Sequence, residues 1–137
     1  ITSAVGKLFA VNKRTGGKLW VRDISSTQTP LVNGNSIFIV NRNKEIICLN
    51  ILDGGSRWVL NIDDELSDNK KYIWLTPVLI NSELLLVGGN KKLIVVDSYS
   101  GVIKKVKNIP NFPASSPIIV DKIPYLMLRN GDIIKIE

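Results

Sequence analysis

The sequence predicts an all-β fold built from repeated four-stranded units, and three observations carry that reading. The first is a phrase that recurs. Leu8-Phe9-Ala10-Val11-Asn12 leads to Thr15-Gly16-Gly17-Lys18-Leu19-Trp20, and Ile46-Ile47-Cys48-Leu49-Asn50 leads to Asp53-Gly54-Gly55-Ser56-Arg57-Trp58, each position 38 residues after its counterpart. The second is an independent marker out of phase with the first: Thr29-Pro30, Thr76-Pro77 and Ser116-Pro117, spaced 47 and 40 apart. The third is that every full period holds four short apolar runs divided by turn residues. An apolar run, a Gly turn and a Trp make one hairpin, and a hairpin returning at a near-constant interval makes an array.

The elements follow in order. The first hairpin, around Gly16, is the end of one unit, residues 1–26. The second unit, residues 27–63, has expected strands at 29–32, 36–40, 45–50 and 57–62. The third, residues 73–108, has them at 74–80, 84–87, 93–97 and 103–107. Its hairpin keeps the turn at Asp97 and Gly101, but Lys105 stands where Trp58 stands one period earlier. The last unit, residues 113–137, is expected to be incomplete and stops at Asp132-Ile133-Ile134-Lys135-Ile136-Glu137. Asn33-Gly34-Asn35, Asp53-Gly54-Gly55, Gly88-Gly89-Asn90 and Asn130-Gly131-Asp132 supply positive φ and side-chain turns. The runs are rich in Ile, Val and Leu without clean polar alternation, as expected of strands covered on both faces, and none is long enough to argue for a helix. Four-stranded antiparallel units of about 40–45 residues are β-propeller blades. The chain therefore reads as an arc of about three blades of a larger ring, and its exposed blade edges are a route to self-association.

The marker residues read as structural. Gly16, Gly54 and Gly101 open the last hairpin of each blade. Trp20 and Trp58 have the area to fill the wedge between blades. Pro30, Pro77 and Pro117 begin first strands, where a missing N–H is tolerated.

Composition excludes several chemistries. The chain of 137 residues carries a net charge of +6 and no His. Ser-His-Asp and Cys-His catalysis and His-based metal sites are therefore ruled out. The basic residues are scattered through turns and lack the interleaved aromatics of a nucleic-acid platform, so no nucleic acid is expected; a weak attraction to an anionic membrane surface stays open. The single Cys48, inside an apolar run, reads as a small hydrophobe. Thr15-Gly16-Gly17-Lys18 lacks the spacing and the following helix of a phosphate loop. Asp63, Asp64, Glu65 and Asp68 form an acidic cluster that matches no EF-hand spacing and reads as a solvated loop. With Lys70, Lys71 and Tyr72 they make up the long connector at residues 61–72, the candidate partner-binding surface, because loops on a rigid scaffold carry function. No catalytic residue, metal site or cofactor is expected.

The phrase Leu-Phe-Ala-Val-Asn, Thr-Gly-Gly-Lys-Leu-Trp resembles the PQQ-like repeat. Within that group, Asn35-Ser36-Ile37-Phe38-Ile39-Val40, Asp53-Gly54-Gly55, Leu75-Thr76-Pro77-Val78-Leu79 and Asn130-Gly131-Asp132-Ile133-Ile134-Lys135-Ile136 resemble, in order, the C-terminal blades of the BamB lipoproteins of outer-membrane β-barrel assembly. The resemblance implies a C-terminal portion of an eight-bladed periplasmic propeller, tethered to the outer membrane by an N-terminal lipid that this chain lacks. It also implies a non-catalytic scaffold that contacts the periplasmic domains of the barrel-inserting subunit. The last blade would then take its outer strand from the N-terminal segment. Other readings are a piece of a PQQ-dependent quinoprotein dehydrogenase, which needs calcium, a catalytic Asp and usually an adjacent Cys pair, or a propeller sensor domain.

Overall fold

A computed structural model describes residues 1–137 except Ala4 and Asn69. The chain divides into two compact units, residues 1–68 and 69–137. Almost all regular structure is antiparallel β.

In the first unit, β1 (Lys7–Val11) pairs with β2 (Lys18–Asp23) in a two-stranded sheet. A second sheet runs in chain order through β3 (Leu31–Asn33), β4 (Ser36–Val40), β5 (Glu45–Asn50) and β6 (Ser56–Asn61). The second unit repeats this meander with β7 (Val78–Ile80), β8 (Glu83–Gly88), β9 (Lys92–Asp97) and β10 (Ile103–Asn108). A three-stranded sheet follows, with β11 (Ile118–Val120), β12 (Ile123–Met127) and β13 (Ile133–Lys135). The chain is thus all-β, a partial propeller.

The apolar runs form strands because both faces are covered. Ile37–Val40 and Ile46–Leu49 are buried at every position, as are Leu84–Gly88 and Leu93–Val96. Leu8, Ile24, Ile37, Ile39, Ile47 and Leu49 pack into one cluster in the first unit. In the second, Leu85, Val87, Leu93, Val95, Leu126 and Leu128 join the faces of its two sheets. Such two-sided burial removes the need for polar alternation.

Two sequence expectations are corrected. The first strands are shorter than expected, at Leu31–Asn33 and Val78–Ile80, because Pro30 and Pro77 have no N–H to give the ladder. Upstream of Pro77 the chain touches its neighbour again, where Trp74 bridges Gly88 and Leu75 N–H donates to Val87 O at 3.0 Å. The second correction is a helix where a solvated loop was expected. Ile62, expected to end a strand, instead begins α1 (Ile62–Leu66), which is capped by Asn61, whose side chain accepts from Asp64 N–H at 3.1 Å. Asp63, Asp64 and Glu65 fall in its first turn, where acids are favoured, and Ser67 ends it in the left-handed region at φ 49°.

Candidate functional site

The recurring phrase folds into one recurring turn. Asn12, Asn50 and Asp97 occupy the same place where β1, β5 and β9 lead into the hairpin turn, and each accepts backbone N–H bonds through its side chain. Asn12 Oδ1 accepts from Arg14 at 2.9 Å, Asn50 Oδ1 from Leu52 at 3.0 Å, and Asp97 Oδ1 from Ser100 at 2.9 Å. The Gly four residues on then donates to the carbonyl of the same Asn or Asp: Gly16 and Gly54 at 2.8 Å, Gly101 at 2.9 Å. These three glycines take φ of 71°, 72° and 74°. In each hairpin the register also shifts beside the turn, at Ala10/Val11, Cys48/Leu49 and Ile103/Lys105. The sequence reading singled out the Gly. It missed the Asn and Asp as the side chains that shape the turn, although their fixed spacing before the Gly carried the signal.

Asp97 is the ionised version of this device. The Ser100 N–H, then the Ser100 hydroxyl, hold its carboxyl below the ordinary value of 3.8 against the opposing effect of burial, and Lys104 and the Tyr99 N–H add to the lowering. Lys104 is pushed up in turn, first by Glu83 and then by Asp97. A lowered folded-state pKa contributes stability that is present above the unfolded value and lost as pH falls through the folded one. Asp97→Asn keeps the acceptor, as Asn12 and Asn50 do, and discards the charge. The stability gap between wild type and Asp97→Asn is therefore expected to close as pH falls from about 5 toward 2 in urea titrations; a gap that does not change with pH contradicts this account.

Trp20 stands on β2 opposite Ala10 and closes over the next sheet of its own unit. Its Nε1–H donates to Ile51 O at 2.8 Å, and its ring lies so close to Gly54 that a Cβ there would stand 2.8 Å from the indole. Arg22, two residues on, donates to the Gly54 carbonyl and, at 3.2 Å, to Ser56 Oγ. Trp58 holds the same register position opposite Cys48, half-buried, with its ring 6.0 Å from that of Phe38. Lys105 holds it opposite Val95 and is exposed. Pro77 and Pro117 are buried and Pro30 is half-buried, each just ahead of a first strand.

The candidate connector does not stay together as one loop. Asp63 is drawn into α1 and onto Lys44, with Oδ2 at 3.0 Å from the ammonium. Asp64 and Glu65 point from the same turn into solvent. Asp68 N–H donates to Asp63 O at 3.2 Å and closes the first unit. Lys70 and Lys71, exposed, and Tyr72, half-buried with its ring edge-on to Trp74 at 5.9 Å, belong to the second unit. Asn69 between them lies outside the described residues.

Two clefts open in the first unit. A polar one of about 870 Å³ is lined by Arg22, Asp23, Asn41, Arg42, Asn43 and Glu45, among others. An apolar one of about 590 Å³ runs past Phe9, Val11, Leu19, Trp20, Pro30 and Val32. Among the described residues, no group of three or more His, Cys, Asp or Glu has the arrangement of a metal site. Cys48 is buried, and burial pushes its thiol up, away from the thiolate a nucleophile needs. The ion pairs and side-chain bonds described above tie turns and strands to one another.

Residues 1–60 match a family model described as outer membrane protein assembly factor BamB. The chain superposes on the structure of BamB from Moraxella catarrhalis with a TM-score of 0.80, covering 95% of this chain and 37% of that one at 16% identity. The chain is similar to BamB-like PQQ-repeat proteins. It is 31% identical to BamB of Escherichia coli over 81 residues, 59% of this chain and 19% of that protein. It is also 33% identical to an uncharacterized protein of Rickettsia prowazekii over 137 residues, 96% of this chain and 32% of that protein. The chain thus spans about a third or less of the curated relatives it matches. The BamB likeness places the Asn-to-Gly turns and the Trp20 contact in the part that the family model recognises, since all of Asn12, Gly16, Trp20, Asn50 and Gly54 fall within residues 1–60.

Proposed function

We propose that this BamB-like chain works as part of a non-catalytic scaffold in outer-membrane β-barrel protein assembly, holding the barrel-inserting subunit through its connectors and turns. The observation that carries the reading is the match of residues 1–60 to the BamB family model. The physics of the chain supports it. Central strands buried on both faces make rigid sheets, while Asp64 and Glu65 in the first unit and Lys70 and Lys71 in the second stand in solvent. A rigid sheet that presents mobile-free anchor points for loops loses little entropy on binding, which favours recognition by shape. In this proposal the protein acts in the periplasm beside the outer membrane, tethered by a lipid carried elsewhere in the polypeptide, and its partner contacts are periplasmic domains. It needs no cofactor.

The test is capture. The natural polypeptide carrying this chain is expected to retain the isolated periplasmic domains of the barrel-inserting subunit. Reconstitution with PQQ and calcium is expected to give no dye reduction with alcohols or sugars. Folded protein that fails to capture those domains, or that reduces dye once loaded with the quinone, overturns the proposal.

A further inference from the structure

We propose that Lys91, Arg129 and Phe112 in the second unit form a receptor for a carboxylate on an acidic segment of a partner protein. Lys91 Nζ lies 5.2 Å from the centroid of the Phe112 ring and Arg129 Cζ lies 5.9 Å from it, both within cation–π reach. The backbone fixes this meeting. Arg129 N–H donates to Phe112 O at 2.9 Å, and Ile109 N–H donates to Lys91 O at 2.9 Å. The turns after β8 and β12 are thereby tied to the connector that follows β10. The Phe112 ring is no core residue, because it is 43% exposed.

The first unit shows what this position does when it is filled. Lys44 occupies the same turn place as Lys91. Both lie in the left-handed region, at φ of 59° and 60°, and the carbonyl of each accepts the N–H of the Ile that follows the fourth strand, Ile62 at 3.1 Å and Ile109 at 2.9 Å. Beside Lys44 the chain then supplies Asp63, 3.0 Å from the ammonium. Beside Lys91 it supplies Pro110-Asn111-Phe112, with no acid, and Arg129 adds a second cation. Among the described residues no carboxylate pairs with Lys91 or Arg129. Residues 69–137 hold ten Lys and Arg against five Asp and Glu, whereas residues 1–68 hold eight against seven.

The turn itself does not require a lysine. The corresponding place in the last sheet is Gly131 at φ 92°, and a side chain in this region costs strain. Two cations drawn to one ring repel each other, and a carboxylate between them relieves the repulsion through charge-assisted bonds. The exposed ring offers apolar cover to the side chain next to that carboxylate. The chemistry that fits is an Asp or Glu beside an apolar residue in an extended acidic segment, supplied in trans where Asp63 acts in cis. This inference rests on the second unit's own geometry and is independent of the scaffold proposal.

The experiment is a fluorescence-anisotropy titration of the chain with a labelled peptide of alternating Asp and Leu, and with its Asn-Leu counterpart. The acidic peptide is expected to bind, more weakly as NaCl rises from about 50 to 300 mM, and the Asn-Leu peptide is not. Lys91→Gln and Arg129→Gln are each expected to weaken binding about tenfold. Phe112→Asp places a carboxylate in cis and is expected to abolish binding while both cations remain. Lys18→Gln, at an exposed position of β2, is expected to change nothing. Circular dichroism confirms that each variant is folded. The proposal is overturned if the acidic peptide does not bind, if folded Lys91→Gln and Arg129→Gln bind it as wild type does, or if the chain binds phosphatidylglycerol vesicles and not the peptide.

Discussion

Gly54→Ala is expected to destabilise the chain by about 2–5 kcal/mol, because two penalties fall on one atom. Gly54 sits at φ 72°, where a Cβ meets the following carbonyl, and that Cβ would also stand 2.8 Å from Trp20 Cδ2 and Cε3. The indole cannot swing aside without giving up its Nε1 bond to Ile51 O. Gly16 separates the two penalties. It has nearly the same φ, 71°, and nothing within 4 Å of an added Cβ. Gly16→Ala should therefore lose only the backbone part, about 1–2 kcal/mol. Urea midpoints of the two variants, measured side by side, check the difference. Equal losses would mean that Trp20 does not press on Gly54. The claim behind this prediction is that Trp20 and Gly54 together form a packing device reaching from one sheet to the next within the first unit.

Leu126→Ala is expected to cost about 2–5 kcal/mol, the usual range for a buried leucine whose surroundings collapse only in part. Leu126 is fully buried on β12, in the cluster that joins β8, β9 and β12. Ile118→Ala on the neighbouring β11, where the side chain is 58% exposed, is the control and should stay within about 0.5 kcal/mol. A small loss at Leu126 would show that the three-stranded sheet is not packed on the four-stranded one as described, since a mobile sheet relaxes into the cavity.

The strands were legible where local signals and packing agreed. Ser36–Val40 and Glu45–Asn50 form strands at the bounds expected of them, because a continuous apolar run ended by an Asn turn leaves little choice. The first strands were overextended, since Thr29 ahead of Pro30 and Trp74-Leu75-Thr76 ahead of Pro77 read as strand, while the ladder begins only after the proline. The helix at Ile62–Leu66 was missed because it is one turn long, too short for any periodicity, and its cap, Asn61, also ends a strand. At the level of sites, Asp63 looked like one of a set of solvated acids. Its attachment to Lys44 joins residues far apart in sequence and leaves no local trace. The gathering of Lys91 and Arg129 on Phe112 is hidden for the same reason, since three separate turns and connectors supply it.

The central claim is that the strands are a frame and the connectors do the binding. Amide hydrogen exchange of the natural polypeptide, with and without the periplasmic domains of the barrel-inserting subunit, tests this most directly. The account predicts slow exchange in β4, β5, β8 and β9 in either state, and new protection on binding confined to turns and connectors. New protection appearing instead in those central strands, or none anywhere on addition of the domains, would contradict it.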